Sequence, residues 1–368
     1  MFINHINIYN YLYRVLIYKK LIMSIILNNS NITVDYRTSN FNIETVKSDI
    51  YVKDINLENN ILNEPRIIPD LNKIEMFTYS GSGNFTEYTK TFTQNTLCDI
   101  LIVGGGGGGD RQIGGGGGGG AVLYATNVVI PTGIYTIKVG KGGENGNGGN
   151  SEAFGATCLG GGSTPFVAWG TPNNGTAGGS GSGASPGGGS LATGGTVGTS
   201  IKGSLLSSGT LYNGNIGGNA LQQNQSPTAA VCGGGGGGAG TAGLSSSLTQ
   251  YTTRSSWIAG GTPSKGGDGV AIDILGTTYY WGAGGGGGSV ITHAGDGGLG
   301  GGGGGGHGMS SSLVYPAGLA GAGGINSGSN GSNTGTENGG NGGAGTGSGG
   351  GGGGYNANSA TYNAGSGG

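Results

Sequence analysis

Two uninterrupted glycine blocks constrain this protein more than any other feature. Six glycines occupy residues 104–109 and seven occupy residues 114–120. Ordering a glycine costs more backbone entropy than ordering any other residue, roughly 0.5–1 kcal/mol more than alanine. Such blocks are therefore either disordered or held by strong interactions. Apolar runs abut both sides, at residues 98–103, 121–130 and 134–139, and this arrangement favours an ordered structure.

Polyglycine II is an ordered conformation open to such blocks. It is an extended coil of the polyproline II type, with three residues per turn and no internal hydrogen bonds. Its N–H and C=O groups point sideways and pair with neighbouring coils where no side chain keeps the backbones apart. The sequence therefore predicts an all-β protein in which β-sandwich-like strands flank a packed polyglycine II helix bundle, with little or no α-helix. A flexible glycine-serine linker is the alternative for residues 178–189 and 339–354.

Glycine is distributed unevenly along the sequence. Of the 96 glycines, only Gly81 and Gly83 lie in the first hundred residues. The predicted organisation is a possible upstream extension (1–22), an N-terminal β region for docking or oligomerisation (23–72), a β-strand module entering the glycine core (73–140) and a polyglycine II domain with variable loops (141–368). Residues 1–22 are either that extension or an N-terminal helix, and their longest uncharged run is too short to span a membrane.

Alternating apolar residues predict further strands outside the first glycine blocks. The predicted strands are residues 31–36, 49–55, 73–79, 85–94 and 269–275. A two-residue turn at Gly276-Thr277 is expected to join the last of these to residues 278–281. Glycine runs follow this second strand unit as they follow the first, at 284–288 and 300–306.

The net charge and the residue motifs exclude several classes of function. The formal net charge of −2 leaves no basic footprint for nucleic acid. Residues 99–109 formally contain a strand and G-x-G-x-x-G, but a second glycine block replaces the helix that a dinucleotide needs. No residues are spaced as a catalytic or metal-binding set, so we expect no enzyme activity, no cofactor and no metal. The three cysteines, Cys98, Cys158 and Cys232, are odd in number and widely spaced, so we expect them to be buried free thiols.

Four aromatic residues are the predicted receptor-binding residues. Trp169, Tyr212, Tyr251 and Trp257 interrupt a stretch that is almost empty of large side chains. Tyrosine and tryptophan offer a large contact area at low entropic cost. The alternative is that each of them covers the glycine bundle.

Several segments together resemble a known group of proteins. They are MFTYSG (76–81), residues 99–109, GDGVAI (267–272), YYWGAGGGGG (279–288) and GGLGG (297–301). Together they resemble the glycine-rich domain of viral surface proteins, as in bacteriophage tail-fibre and tip adhesins and the glycine-rich particle proteins of large DNA viruses. The resemblance implies a polyglycine II sandwich whose variable loops contact a host receptor, with no enzyme chemistry. Members usually close with an apolar strand, which is either missing from this sequence or replaced by a neighbouring subunit.

The function expected from these patterns is that of a non-enzymatic virion surface protein, a fibre or fibre-tip component that mediates host attachment. Its expected partners are a host-cell receptor (protein or glycan), other virion proteins contacted through the N-terminal region, and further copies of itself, with a trimer as one option. No nucleic acid or membrane insertion is expected. The alternatives are a purely structural capsid or filament component, an ice-binding or cell-wall protein, and most distantly an oxidoreductase.

Overall fold

The structure of the protein is a computed structural model. It describes residues 23–27, 30–34, 74–166, 172–186, 191–222, 231–246, 264–290, 293–308, 316–333, 337–355 and 363–368. The polypeptide forms two compact units, Met1–Arg66 and Ile67–Gly368. In the first unit, strands β1 (Met23–Leu27) and β2 (Ser30–Val34) pair antiparallel. The predicted strand over residues 49–55 and the region 1–22 lie outside the described residues.

In the second unit, two antiparallel sheets form at the start of the glycine-rich sequence. One sheet has the order β3-β6-β7-β8 and the other the order β4-β5-β9. Their strands are β3 (Phe85–Phe92), β4 (Thr96–Val103), β5 (Val122–Ile130), β6 (Gly133–Gly140), β7 (Ser151–Ala153), β8 (Ala156–Cys158) and β9 (Thr210–Tyr212). The strands predicted on both sides of the glycine blocks are therefore confirmed.

A common apolar core joins these two sheets. Leu123 and Ile130 of β5 are completely buried in it, together with Cys158 of β8. Tyr88 and Phe92 lie on one face of β3 and pack against this core, as their shared parity predicts. The sandwich-like arrangement follows from the alternation of apolar and polar residues along the strands.

Six shorter strands lie farther along the sequence. They are β10 (Leu221–Gln222), β11 (Val231–Cys232), β12 (Val270–Ile272), β13 (Tyr279–Trp281), β14 (Ser289–Val290) and β15 (His307–Gly308). β12 and β13 form an antiparallel hairpin, whereas β10-β11-β14-β15 form a four-stranded sheet in which β14 and β15 run parallel. Among the described residues there is no α-helix, so the all-β prediction is confirmed.

Two local predictions were wrong. The described part of the strand predicted at 73–79 joins no sheet; side-chain bonds hold it instead, since Tyr88 Oη donates to Thr78 O at 2.6 Å. The hairpin after β12 has no two-residue turn at Gly276-Thr277. Gly276 N donates to Asp273 O at 2.8 Å, which closes a turn earlier in the sequence and leaves six residues between Ile272 and its partner Tyr279.

The glycine blocks form a bundle of extended coils whose backbones bond to one another. Residues 114–121 lie at its centre. Every third amide of this coil is donated to the same neighbour, as three bonds show: Gly114 N to Gly353 O (3.0 Å), Gly117 N to Gly350 O (2.8 Å) and Gly120 N to Gly347 O (2.8 Å). A repeat of three residues is the period of polyglycine II. The predicted conformation is therefore the observed one.

Six neighbours surround this central coil. They are residues 104–110, 159–162, 180–183, 234–237, 285–288 and 347–353. Residues 234–237 run parallel to the central coil, and the other five segments run antiparallel to it. The amides of the central coil reach three of these neighbours, and its carbonyls accept from the other three. We call the whole set of mutually bonded coils the glycine bundle.

At the closest approaches no side chain fits between the coils. An added Cβ on Gly117 would lie 2.1 Å from the carbonyl oxygen of Gly107, and one on Gly285 would lie 2.1 Å from that of Gly350. Both distances are far below any real carbon–oxygen contact. Glycine is therefore required at these positions by the close approach of backbones and not by a turn.

Candidate functional site: the turn end of the glycine bundle

The bundle has two different ends. Strand β4 leads into residues 104–109, and residues 114–121 lead into strand β5. Both junctions lie at one end of the bundle, which we call the strand end. Residues 110–113, which connect these two coils, lie at the opposite end, which we call the turn end. Gln112 and Ile113 have φ angles of 53° and 63° in this turn, a left-handed conformation that non-glycine residues adopt only where the surroundings fix it.

Asp110 is the polar centre of the turn end. Only 4% of its surface is exposed. Ser185 Oγ donates to its Oδ2 at 2.5 Å, and the backbone N–H of Arg111 donates to its Oδ1 at 2.7 Å. Burial raises the pKa of Asp110 to about 7, although Ser185 and Arg111 act in the opposite direction. The turn end therefore holds a carboxyl group that titrates near neutral pH.

The four-stranded sheet also lies at the turn end. Gly233, directly after β11, donates to Gly288 O at 2.9 Å, and Gly288 in turn donates to Gly114 O at 2.8 Å. His307 of β15 is completely buried, with its Nδ1 3.1 Å from Ser289 Oγ of β14. This sheet therefore joins the ends of coils that are distant in sequence.

The residues that flank the undescribed stretches between residues 167 and 362 also lie at the turn end. Asn173 and Ser185 exchange backbone hydrogen bonds of 3.0 and 2.9 Å beside Asp110. Cys232 Sγ lies 3.0 Å from Ser264 Oγ. The same end holds the residues that border the stretches 167–171, 187–190, 223–230, 247–263, 291–292, 309–315, 334–336 and 356–362.

The structure locates one of the four predicted receptor-binding residues directly. Tyr212 lies in β9 opposite Val122 and is partly buried against the apolar cluster around Trp281, at the strand end. Trp169, Tyr251 and Trp257 lie outside the described residues, in stretches whose flanking residues are at the turn end. The receptor-binding role of all four stays a prediction.

A recurring contact on the outer coils was not recognised in the sequence. An Asn or Asp accepts, through Oδ1, the backbone N–H of a residue on the next coil, and the following glycine donates its N–H to the carbonyl of that same residue. At Asn341-Gly342 both bonds go to Ser366, at 2.9 and 2.8 Å. We call this two-bond contact a clip.

Five such clips occur among the described residues. They are Asn174-Gly175 with Thr193, Asp268-Gly269 with Leu299, Asp296-Gly297 with Leu319, Asn338-Gly339 with Asn363, and Asn341-Gly342 with Ser366. Each clip replaces a missing peptide neighbour at the bundle edge with a side-chain oxygen. The available signal was the repeated Asn-Gly and Asp-Gly dipeptide, with Asn338 and Asn341 three residues apart.

The three cysteines are free, as expected from their spacing. Cys158 and Cys232 are buried, whereas Cys98 is only partly buried. Burial raises the pKa of Cys158 to about 12, so its thiol stays protonated. In the described part of the protein no three His, Cys, Asp or Glu side chains are grouped to hold a metal ion. The same part has no helix that is long and apolar enough to cross a membrane.

The fold and the bundle thus define an all-β protein built on polyglycine II coils. Comparison with known protein families matches residues 80–345 to the glycine-rich domain, and the chain belongs to this family. Comparison with curated proteins found no match, and neither did comparison with solved structures.

Proposed function

We propose that this protein is a non-enzymatic surface component of a virus particle, a fibre or fibre tip, whose turn end binds a receptor on the host cell. The receptor is a protein or a glycan. The N-terminal region, residues 23–72, joins the protein to the particle or to further copies of itself. In this proposal the glycine bundle is the rigid scaffold for the binding segments.

One observation carries the proposal: the bundle repeatedly returns the backbone to the same end. The stretches bounded by turn-end residues differ in length and composition, and the longest, residues 247–263, contains both Tyr251 and Trp257. A scaffold that presents several variable segments at one end is suited to recognition, because binding residues are found disproportionately on loops positioned by a rigid framework.

The bundle also supplies the rigidity that recognition requires. Its central coil is bonded to six neighbours and its outer coils are held by backbone bonds and clips, so segments attached to the turn end begin from fixed points. Pre-organisation of this kind lowers the entropy lost on binding. Trp169, Tyr251 and Trp257 are the proposed contact residues, since tryptophan and tyrosine are enriched among the residues that dominate binding energy.

The proposal makes a quantitative prediction about these aromatic residues. Labelled protein is applied to a glycan array and to the cells that particles carrying this protein infect. Replacing Trp169 or Trp257 with alanine is expected to weaken binding at least about tenfold, as for aromatic residues at the centre of an interface. Ile134→Ala is the control, because Ile134 is 74% exposed and belongs to β6, away from the turn end.

Three results would contradict the proposal. Binding that the tryptophan variants and the Ile134 variant lose equally would exclude a specific turn-end site. Absence of binding to any of these surfaces, with the protein detected on intact particles by immunogold electron microscopy, would favour the alternative of a purely structural virion component. Absence from the particle surface would exclude both roles.

A further inference from the structure

The sequence contains seven Asn-Gly dipeptides, and the fold treats one of them differently from the others. They begin at Asn145, Asn147, Asn174, Asn213, Asn330, Asn338 and Asn341. Asparagine followed by glycine is the dipeptide most prone to spontaneous loss of the side-chain amide, because no side chain hinders attack by the glycine nitrogen. Whether a pair reacts in a folded protein depends on how its two groups are held.

In five of the pairs both groups are engaged. Three are the clips at Asn174, Asn338 and Asn341. In the fourth, Asn147 Oδ1 accepts from Ser163 N at 2.8 Å while Gly148 N donates to Gly161 O at 2.9 Å. The fifth is built in the same way, with Asn330 Oδ1 bound by Ala320 N and Gly331 N donating to Gly318 O.

Asn213 is held in a different way. Its Oδ1 accepts from Ser200 N at 2.9 Å. The following Gly214 is packed so closely that an added Cβ would lie 2.2 Å from Ser180 Oγ. The asparagine side chain is therefore fixed in this pair too.

Asn145-Gly146 has none of these restraints. Asn145 is exposed, with a φ of 55°, in the bend over residues 144–146. Within the described part of the protein, neither its side chain nor the N–H of Gly146 has a hydrogen-bond partner. Gly146 is also not required by packing, since an added Cβ would find its nearest atom, Glu144 O, 3.9 Å away.

We propose that Asn145 is a site of spontaneous deamidation in the folded protein and that the bundle protects the other Asn-Gly pairs. The deprotonated backbone nitrogen of Gly146 attacks Cγ of Asn145. The new bond from this nitrogen to Cγ closes a succinimide ring, and the bond between Cγ and Nδ2 breaks to release ammonia. Water then opens the ring at either carbonyl and leaves aspartate or isoaspartate at position 145.

The product changes the local charge and, in part, the backbone. A new carboxylate appears beside the exposed ion pair of Lys141 and Glu144, whose Nζ and Oε2 are 3.1 Å apart. Isoaspartate also lengthens the backbone next to Gly146, whose carbonyl accepts from Gly108 N at 3.0 Å. The site is close to the turn end, but the inference does not depend on the proposed receptor role.

The test compares native and unfolded protein in the same buffer. The full-length protein is incubated in oxygen-18 water at neutral to mildly alkaline pH, with and without denaturant, and digested for mass spectrometry. In denaturant the seven pairs are expected to react at similar rates. In the native state Asn145 is expected to react at least about 100-fold faster than Asn174, Asn338 and Asn341, because a clipped amide becomes reactive only through local opening.

A variant separates the chemistry from accidental damage. Gly146→Ala is expected to leave the melting temperature unchanged, since the atom nearest to the added Cβ, Glu144 O, is 3.9 Å away, an ordinary van der Waals contact. It is also expected to slow deamidation of Asn145 at least about tenfold through steric hindrance at the attacking nitrogen. The proposal is overturned if Asn145 stays intact in the native protein, if the clipped pairs react as fast as Asn145, or if Gly146→Ala leaves the rate unchanged.

Discussion

At the scale of the single residue, glycine acts in this protein through the space that its missing Cβ leaves. Within the bundle that space is filled by the carbonyl of a neighbouring coil, as at Gly117 and Gly107. At Gly146 the same space has no atom closer than Glu144 O, 3.9 Å away. The two kinds of glycine look identical in the sequence, but only one of them supports the fold.

This difference predicts opposite results for two matched substitutions. Gly117→Ala places a Cβ against the backbone of residues 104–109 and is expected to destabilise the protein by more than about 3 kcal/mol, at or beyond the usual cost of overpacking. Gly146→Ala is expected to change stability by less than about 1 kcal/mol. Denaturant unfolding of both variants measures this. Equal stability of the two variants would contradict the close packing of the coils.

A second prediction at this scale concerns Asp110. Its pKa is about 7 in the folded protein against an ordinary value of 3.8, chiefly because of burial. A raised acid pKa means that the folded state holds the proton more tightly, so its stabilising effect is complete below about pH 4 and disappears as the pH rises through about 7. The loss is at most about 4 kcal/mol, since one pKa unit corresponds to about 1.4 kcal/mol.

The measurement is the free energy of unfolding between pH 4 and pH 8. The wild-type protein is expected to lose stability towards pH 8, and Asp110→Asn is expected to flatten this part of the profile, because the amide stays neutral. The Asn variant keeps an acceptor for the Ser185 hydroxyl. A wild-type profile identical to that of Asp110→Asn would show that Asp110 titrates in its ordinary range.

At the scale of the element, the outer coils depend on side-chain oxygens where the inner coils are held mainly by backbone bonds. A coil at the bundle edge has no glycine neighbour on one side, and the clips supply the missing acceptor there. Asn338 and Asn341 are spaced by one three-residue turn, and they bind Asn363 and Ser366, which are spaced in the same way. The clip residues therefore recur with the same three-residue period as the polyglycine II backbone.

The clip at Asn341 predicts which substitutions an outer coil tolerates. Asn341→Ala removes the acceptor of Ser366 N–H and is expected to cost about 1 kcal/mol, the usual net value of one hydrogen bond. Asn341→Asp is expected to cost less than about 0.5 kcal/mol, because aspartate occupies the same position in the clips at Asp268 and Asp296. Thermal or denaturant unfolding distinguishes the two.

At the scale of the whole molecule, the bundle couples segments that are far apart in sequence. The central coil at residues 114–121 bonds directly to residues near 160, 235, 285 and 350. Any coil that leaves the bundle therefore removes partners from several others. The bundle is expected to unfold cooperatively, in a single transition, unlike a series of independent glycine linkers.

Amide hydrogen exchange tests this cooperativity. Peptides covering residues 114–120 are expected to exchange more than about a thousandfold more slowly than the bend at residues 144–146, because their amides are buried and bonded between coils. Gly117→Ala should raise exchange in distant coils such as residues 285–288 as well. Fast exchange across residues 114–120 would mean that these segments behave as flexible linkers, and the scaffold role would fail with them.

The sequence predicted the strands around the glycine blocks well, because their alternation is a local signal. The strand at residues 98–103 and the one at residues 134–139 were recovered to within two residues. The segment at 73–79 has a similar alternation, but its described residues, 74–79, pair with no strand, and the turn at Gly276 was placed too late. Both errors concern hydrogen-bond partners, which neighbouring residues in the sequence do not specify.

The candidate site was predicted much less completely. The sequence assigned no role to Asp110, and nothing local indicates that Ser185 reaches its carboxylate. Tyr212 was grouped with three other aromatic residues, yet the fold places it in β9 against Val122. Proximity between residues more than seventy positions apart depends on how the coils are ordered in the bundle, and that order has no periodic trace in the sequence.

The glycine blocks by themselves determined the kind of backbone that this protein uses. A run without Cβ atoms allows coils to approach until their amides pair, and no other residue permits this distance. Only the tertiary structure decided which coil lies beside which and in what direction each coil runs. It also decided at which end of the bundle the residues that flank the connecting segments lie. Identical glycines are interchangeable in the sequence, so their partners are fixed by the strands, turns and clips that hold each coil in its place.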